Sequence, residues 1–98
     1  MKLEEGREII DAIDTEILTL LNRRAHISRR IGRLKKSCGL PVVDPDREET
    51  VIRRIVQNND GEIADQALVG IFREILRESR RIQDAVVVEG VSIGECVR

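Results

Sequence analysis

Two cations, Arg24 and Lys35, are set eleven residues apart. Eleven residues make three helical turns, so in a helix both side chains leave from one face. Ser28 and Gly32, both small, lie between them on or near that face. Arg24 is the more telling of the two. The apolar series Ile10, Ile13, Ile17, Leu20 is taken up again by Ile27, Ile31 and Leu34, and Arg24 stands where the repeat demands another apolar side chain. Such a stripe is a helix face to be buried. A guanidinium keeps its charge and is costly to bury alone. Either an acidic side chain meets it in the core, or an anionic ligand does.

Gly32 has two readings. Glycine inside a helix costs about 1 kcal/mol relative to alanine. It either clears space for a ligand between the two cations or lets a second helix come close. Arg7 is a third cation on the same stretch. Its seventeen-residue offset from Arg24 is roughly 25 Å along a helix axis, too far for one small dianion to bridge. In an antiparallel pair of such helices crossing near Ile17 and Leu18, however, the partner's Arg7 arrives opposite Ser28. Further along, Asp44, Asp46, Arg47 and Glu48 open another helix. Asp44 reads as an N-cap and Asp46 as an acid favoured by the helix dipole, whereas Arg47 opposes that dipole. Ser79 and Gln83, at i and i+4, form a polar pair on one helical face.

The elements that must position these residues are three helices. The first starts near residue 4, with acids in its first turn and Arg29, Arg30, Arg33, Lys35 and Lys36 towards its end, as the dipole favours. Most of those cations need no role beyond a solvated face. Gly39 and Pro41 stop the helix. Asp44-Pro45 starts the second, which runs to about residue 57 and buries Val51, Ile52, Ile55 and Val56. After the turn Asn58-Asn59-Asp60-Gly61, the third is expected over about 62–84, burying Ala64, Leu68, Ile71, Phe72, Ile75, Leu76 and Ile82. Residues 85–98 change character, with two β-branched runs and Gly90 and Gly94, and form a C-terminal tail whose structure stays open.

The first helix is too long for one chain of this size. Thirty residues span roughly 45 Å, against a radius of gyration of about 13 Å for a compact domain. Its far half needs apolar cover, most simply on a second copy. The composition narrows the function classes. With 17 basic and 18 acidic residues the net charge is −1, and Phe72 is the sole aromatic. Nucleic-acid binding, which wants a basic patch or base-stacking rings, is not expected. Cys38 and Cys96 make neither a disulfide framework nor a metal-ligand spacing. The opening Met1-Lys2-Leu3-Glu4-Glu5 turns straight into helix without a leader-type apolar run, and no stretch is long enough to span a membrane, so a cytoplasmic protein is expected.

With these residues assembled, the chain resembles the all-helical (AroQ-class) chorismate mutases. The likeness runs through Arg7-x-x-Ile10-Asp11-x-Ile13-Asp14, Leu20-Leu21-x-x-Arg24 and Gly32-x-x-Lys35. It continues through Pro41-Val42-x-Asp44-x-Asp46-Arg47-Glu48 and ends at Glu78-Ser79-x-x-x-Gln83. The resemblance implies an all-α fold of three helices, the very long first ones intertwined in a homodimer, with residues 1–84 as the chorismate mutase domain. It implies that Arg24, Lys35, Arg47 and Arg7 of the other chain bind the two carboxylates and ether oxygen of chorismate. Asp44, Glu48 and Ser79 would hold its hydroxyl, and Gln83 would donate to the ether oxygen beside Lys35. Lys35, Gln83, Arg24 and Glu48 are the implied catalytic set. The rearrangement of chorismate to prephenate is pericyclic and needs no nucleophile, metal or cofactor. What a protein supplies is a folded substrate conformation and charge matched to the transition state.

Two other readings share the fold. An isochorismate pyruvate-lyase uses much of the same cationic pocket, but that group lacks the intact Asp46-Arg47-Glu48 cluster. A non-catalytic regulatory module of the same family would not need the pocket intact.

Overall fold

The computed structural model describes residues 1–87, and the second β-branched run, Gly90, Gly94 and Cys96 lie outside the described residues. Three helices follow one another: α1 (Leu3–Ser37), α2 (Pro45–Asn58) and α3 (Asp65–Asp84). The described residues hold no strand. No helix among them is long and apolar enough to cross a membrane.

Local chemistry sets each boundary. The Glu5 carboxylate accepts from the Lys2 backbone N–H at 3.3 Å, and acids fill the first turn of α1. At the other end Gly39 adopts φ +68°, the left-handed conformation that closes helices. The Leu40 N–H then reaches back to the Lys35 carbonyl at 2.7 Å. Cys38 is the C-cap residue, its N–H donating to the Leu34 carbonyl at 3.0 Å. Asp44 caps α2 by accepting from the Arg47 N–H at 3.1 Å, with Pro45 at the first helical position.

α3 begins at Asp65, three residues later than its periodicity suggests. The Asn59 amide is the reason. It donates to the Ile63 carbonyl at 2.8 Å and to the Asp65 carboxylate at 2.7 Å, closing a loop over the residues expected to start the helix. Ala64 consequently sits outside α3 and is exposed.

α3 is the element on which both other helices pack. The fold is elongated, 57 Å in its longest dimension with a radius of gyration of 17.2 Å. Little of the apolar surface is covered. Leu76 and Val86 are the buried hydrophobic side chains among the described residues, while Ile10 is 55% exposed and Ile17 49%. Ile71, expected in the core, is likewise exposed. One chain cannot bury two apolar faces with so few helices. The stripe on the first half of α1, from Ile9 to Leu21, runs past the end of the packed region.

Where α1 and α3 do meet, Gly32 sets the distance. A Cβ there would lie 2.8 Å from the Gln83 Cα and 3.0 Å from its carbonyl oxygen. The glycine thus lets the two backbones come this close. Gly32→Ala, normally stabilising in a helix, should here cost roughly 1–3 kcal/mol, because the backbones must separate. Urea unfolding measures this directly, and a stabilised variant would show that the helices can part without loss.

Candidate active site

One cavity of about 340 Å³ opens between α1, the start of α2 and the second half of α3. Arg24, Lys35, Asp44, Arg47, Glu48, Ser79 and Gln83 all line it. The helical spacings explain how. Arg24, Ser28 and Lys35 share a stripe of α1, Ser79 and Gln83 share one of α3, and the Asp44 cap presents Arg47 and Glu48 from the first turn of α2. Arg7 is elsewhere on the same chain, in a surface recess with Met1, Leu3 and Ile10.

Two hydrogen-bonded groups organise the walls. In the first, an Arg24 guanidinium N–H donates to Ser79 Oγ, and the Ser28 and Ser79 hydroxyls share a hydrogen bond at 2.7 Å. Both serines are buried, and every buried side-chain polar atom among the described residues has a partner. No carboxylate among the described residues is ion-paired with Arg24. Its pKa is pushed down from the usual arginine value, first by burial and then by the neighbouring Arg47 guanidinium. Of the two possibilities open for a cation on a buried face, the acidic partner is therefore not the one realised there.

The second group surrounds Lys35. Its ammonium donates to the Val42 carbonyl at 2.8 Å and to Gln83 Oε1 at 2.9 Å. An ammonium only donates, so it holds the amide oxygen of Gln83 and leaves the amide N–H₂ to face elsewhere. Lys35 and Gln83 thus line one partly enclosed space together with Arg24, Arg47 and Arg80. Such a site can bind a small dianion and can stabilise negative charge that develops on an oxygen within it. Among the described residues it contains no nucleophile hydrogen-bonded to a base.

The family profile described as chorismate mutase type II matches residues 6–84 of this sequence. The chain belongs to that family. It is 38% identical over 91 residues to a bifunctional chorismate mutase/prephenate dehydratase of Aquifex aeolicus, covering 89% of this chain and 25% of that protein. The chain thus spans about a quarter of that relative's length. Among solved structures it is similar to chorismate mutase (form II) of Thermus thermophilus, with a TM-score of 0.84 and 32% identity, over 87% of this chain and 97% of that one. It is also similar to the chorismate mutase of Helicobacter pylori in complex with prephenate, with a TM-score of 0.77 and 32% identity, over 84% and 89% of the two chains. Both are helical relatives of the fold described above.

Three contributors to this cavity are not legible in the sequence. Arg80 lines it and forms an ion pair with Glu48. The Val42 carbonyl anchors Lys35. Ser28, which reads only as a small residue, takes part in the Ser79 hydrogen bonding. A further lysine works behind the site: Lys36 Nζ donates to the Asp84 carbonyl at 2.6 Å and to that of Val86, tying down the end of α3 that carries Gln83. Val86 therefore packs with the domain, although the sequence places the start of the tail at residue 85.

Proposed function

We propose that this chain catalyses the intramolecular rearrangement of chorismate to prephenate. The observation that carries the reading is the convergence of Arg24, Lys35 and Arg47 on one cavity, with no carboxylate ion-paired to any of them among the described residues. A dicarboxylate is the ligand whose charge such a cavity lacks. Arg24 and Arg47 bind the carboxylates and orient the substrate. Lys35 and the Gln83 amide donate to the ether oxygen, where negative charge builds as the C–O bond breaks. Asp44, Glu48 and Ser79 hold the ring hydroxyl. The catalytic domain is residues 1–84, in accord with the span matched by the family profile.

The active form is a homodimer in which the first halves of two α1 helices cover each other's apolar stripe. Each pocket then takes Arg7 from the opposite chain, which resolves its separation from Arg24. The protein works in the cytoplasm. Recovery of the native protein from an oxidising compartment on cell fractionation would overturn this placement.

Incubating the purified protein with chorismate and following its diene absorbance tests the activity, with prephenate expected as the sole product. Pyruvate release from isochorismate, without turnover of chorismate, would instead establish the lyase.

Gln83 offers a sharper test of mechanism. An amide donates at every ordinary pH, so the wild-type contribution of Gln83 should vary little with acidity. In Gln83→Glu the introduced carboxyl donates only when protonated, and its reference pKa is about 4.3. Once ionised it opposes an oxygen that is itself becoming negative. Burial raises that carboxyl's pKa and the Lys35 ammonium lowers it. Whatever its value, the kcat/KM of this variant should fall as pH rises through it, to about a hundredfold below wild type once the group is ionised. Superimposed wild-type and variant pH profiles would retire the role given to Gln83.

A further inference from the structure

Arg80 has no role in the reading above, yet it is part of the cavity wall. It follows Ser79 on α3 and reaches across to α2, where its guanidinium is ion-paired with Glu48 Oε1. The two side chains are 32% and 23% exposed, so water screens the pair only in part. Among the described residues nothing hydrogen-bonds Oε2, which is the oxygen left to receive a ligand's donor. Two features follow. The Glu48 carboxylate is held in one place by a helix that also carries Ser79 and Gln83, and its negative charge is compensated before any substrate arrives.

That compensation bears on what the carboxylate can recognise. A neutral hydroxyl needs only a lone pair, which a paired carboxylate still offers. An ammonium group depends on net negative charge, and beside the Arg80 guanidinium little remains. We propose that Arg80 is a specificity-determining residue: by neutralising Glu48 it makes the pocket accept a substrate bearing a hydroxyl at that point and discriminate against one bearing an ammonium there. Arg80 acts through Glu48, with which it is ion-paired. The inference rests on the assignment of Glu48 to the ring hydroxyl of chorismate.

The test compares chorismate with 4-amino-4-deoxychorismate, which differs in that one group, on wild type, Arg80→Met and Arg80→Lys. In Arg80→Met the ratio of kcat/KM for the hydroxyl substrate over the amino substrate should fall about tenfold. Much of the change on chorismate should lie in KM, since the hydroxyl contact exists before the transition state. Arg80→Lys keeps the charge and should keep the ratio within about threefold of wild type. Each ratio is measured on a single preparation, so partial misfolding lowers both activities and cancels. A ratio unchanged in Arg80→Met, or lowered equally in Arg80→Lys, would overturn the inference while leaving chorismate turnover intact. A wild-type protein that turns over neither compound would overturn the functional reading itself.

Discussion

Lys35→Ala should lose on the order of a hundredfold in kcat, about 3 kcal/mol, while KM changes only a few-fold. The Lys35 ammonium has three N–H donors and spends two inside the fold, on the Val42 carbonyl and Gln83 Oε1. In the proposed reaction the third is the one that meets the substrate. Its interaction is weak with a neutral ether oxygen and strong once that oxygen carries charge, so it acts on the transition state more than on the bound substrate. Truncation also frees the Gln83 amide, whose orientation Lys35 dictates, and the two losses fall on the same oxygen. Arg24→Ala should behave differently, raising KM as well as lowering kcat, because in the proposed reaction it meets charge already present in the substrate. Losing the Lys35 hydrogen bonds costs about 1–3 kcal/mol of stability, so rates should be taken on protein shown by circular dichroism to be folded. A folded variant with near-normal kcat would remove Lys35 from the chemistry.

Much of this site is legible in the sequence because it is built from helical periodicity. Arg24 breaks an apolar stripe, Lys35 follows at three turns, and Ser79 and Gln83 share a face on another helix. Those facts are local, and the fold brings these side chains around one cavity. What depends on how helices meet is not local. Glu48 and Arg80 come together across α2 and α3, 32 residues apart, and Arg80 sits in a helix already rich in arginine. Nothing in its spacing separates it from a solvated cation. Gly32 allows two readings, and only the 2.8 Å approach to the Gln83 backbone chooses helix packing over ligand space. Val42 contributes a carbonyl, which carries no side-chain signal at all. The late start of α3 arises from one asparagine side chain competing with the helix for backbone partners. Ile71 stands exposed because its face finds no cover in a single chain.

In the proposed dimer the catalytic pocket is completed by a second chain, through Arg7. On one chain it is roughly 25 Å along α1 from Arg24, and it lines a recess apart from the cavity. The first half of α1 meanwhile leaves its apolar stripe uncovered, from Ile9 through Ile13 and Ile17 to Leu21. Two such stripes packed antiparallel would bury each other and carry each Arg7 to the opposite cavity. Arg7→Ala and Arg24→Ala homodimers should then each be nearly inactive, because every pocket lacks one carboxylate-binding guanidinium. In heterodimers both substitutions fall in the same pocket and leave the other pocket wild type. The decisive measurement is the chorismate mutase rate after the two inactive proteins are unfolded together in equal amounts and refolded. Random pairing makes about half the dimers mixed and about a quarter of all pockets intact, so recovery to about a quarter of the wild-type rate is expected. A refolded mixture no more active than the two variants refolded separately would contradict a site shared between chains.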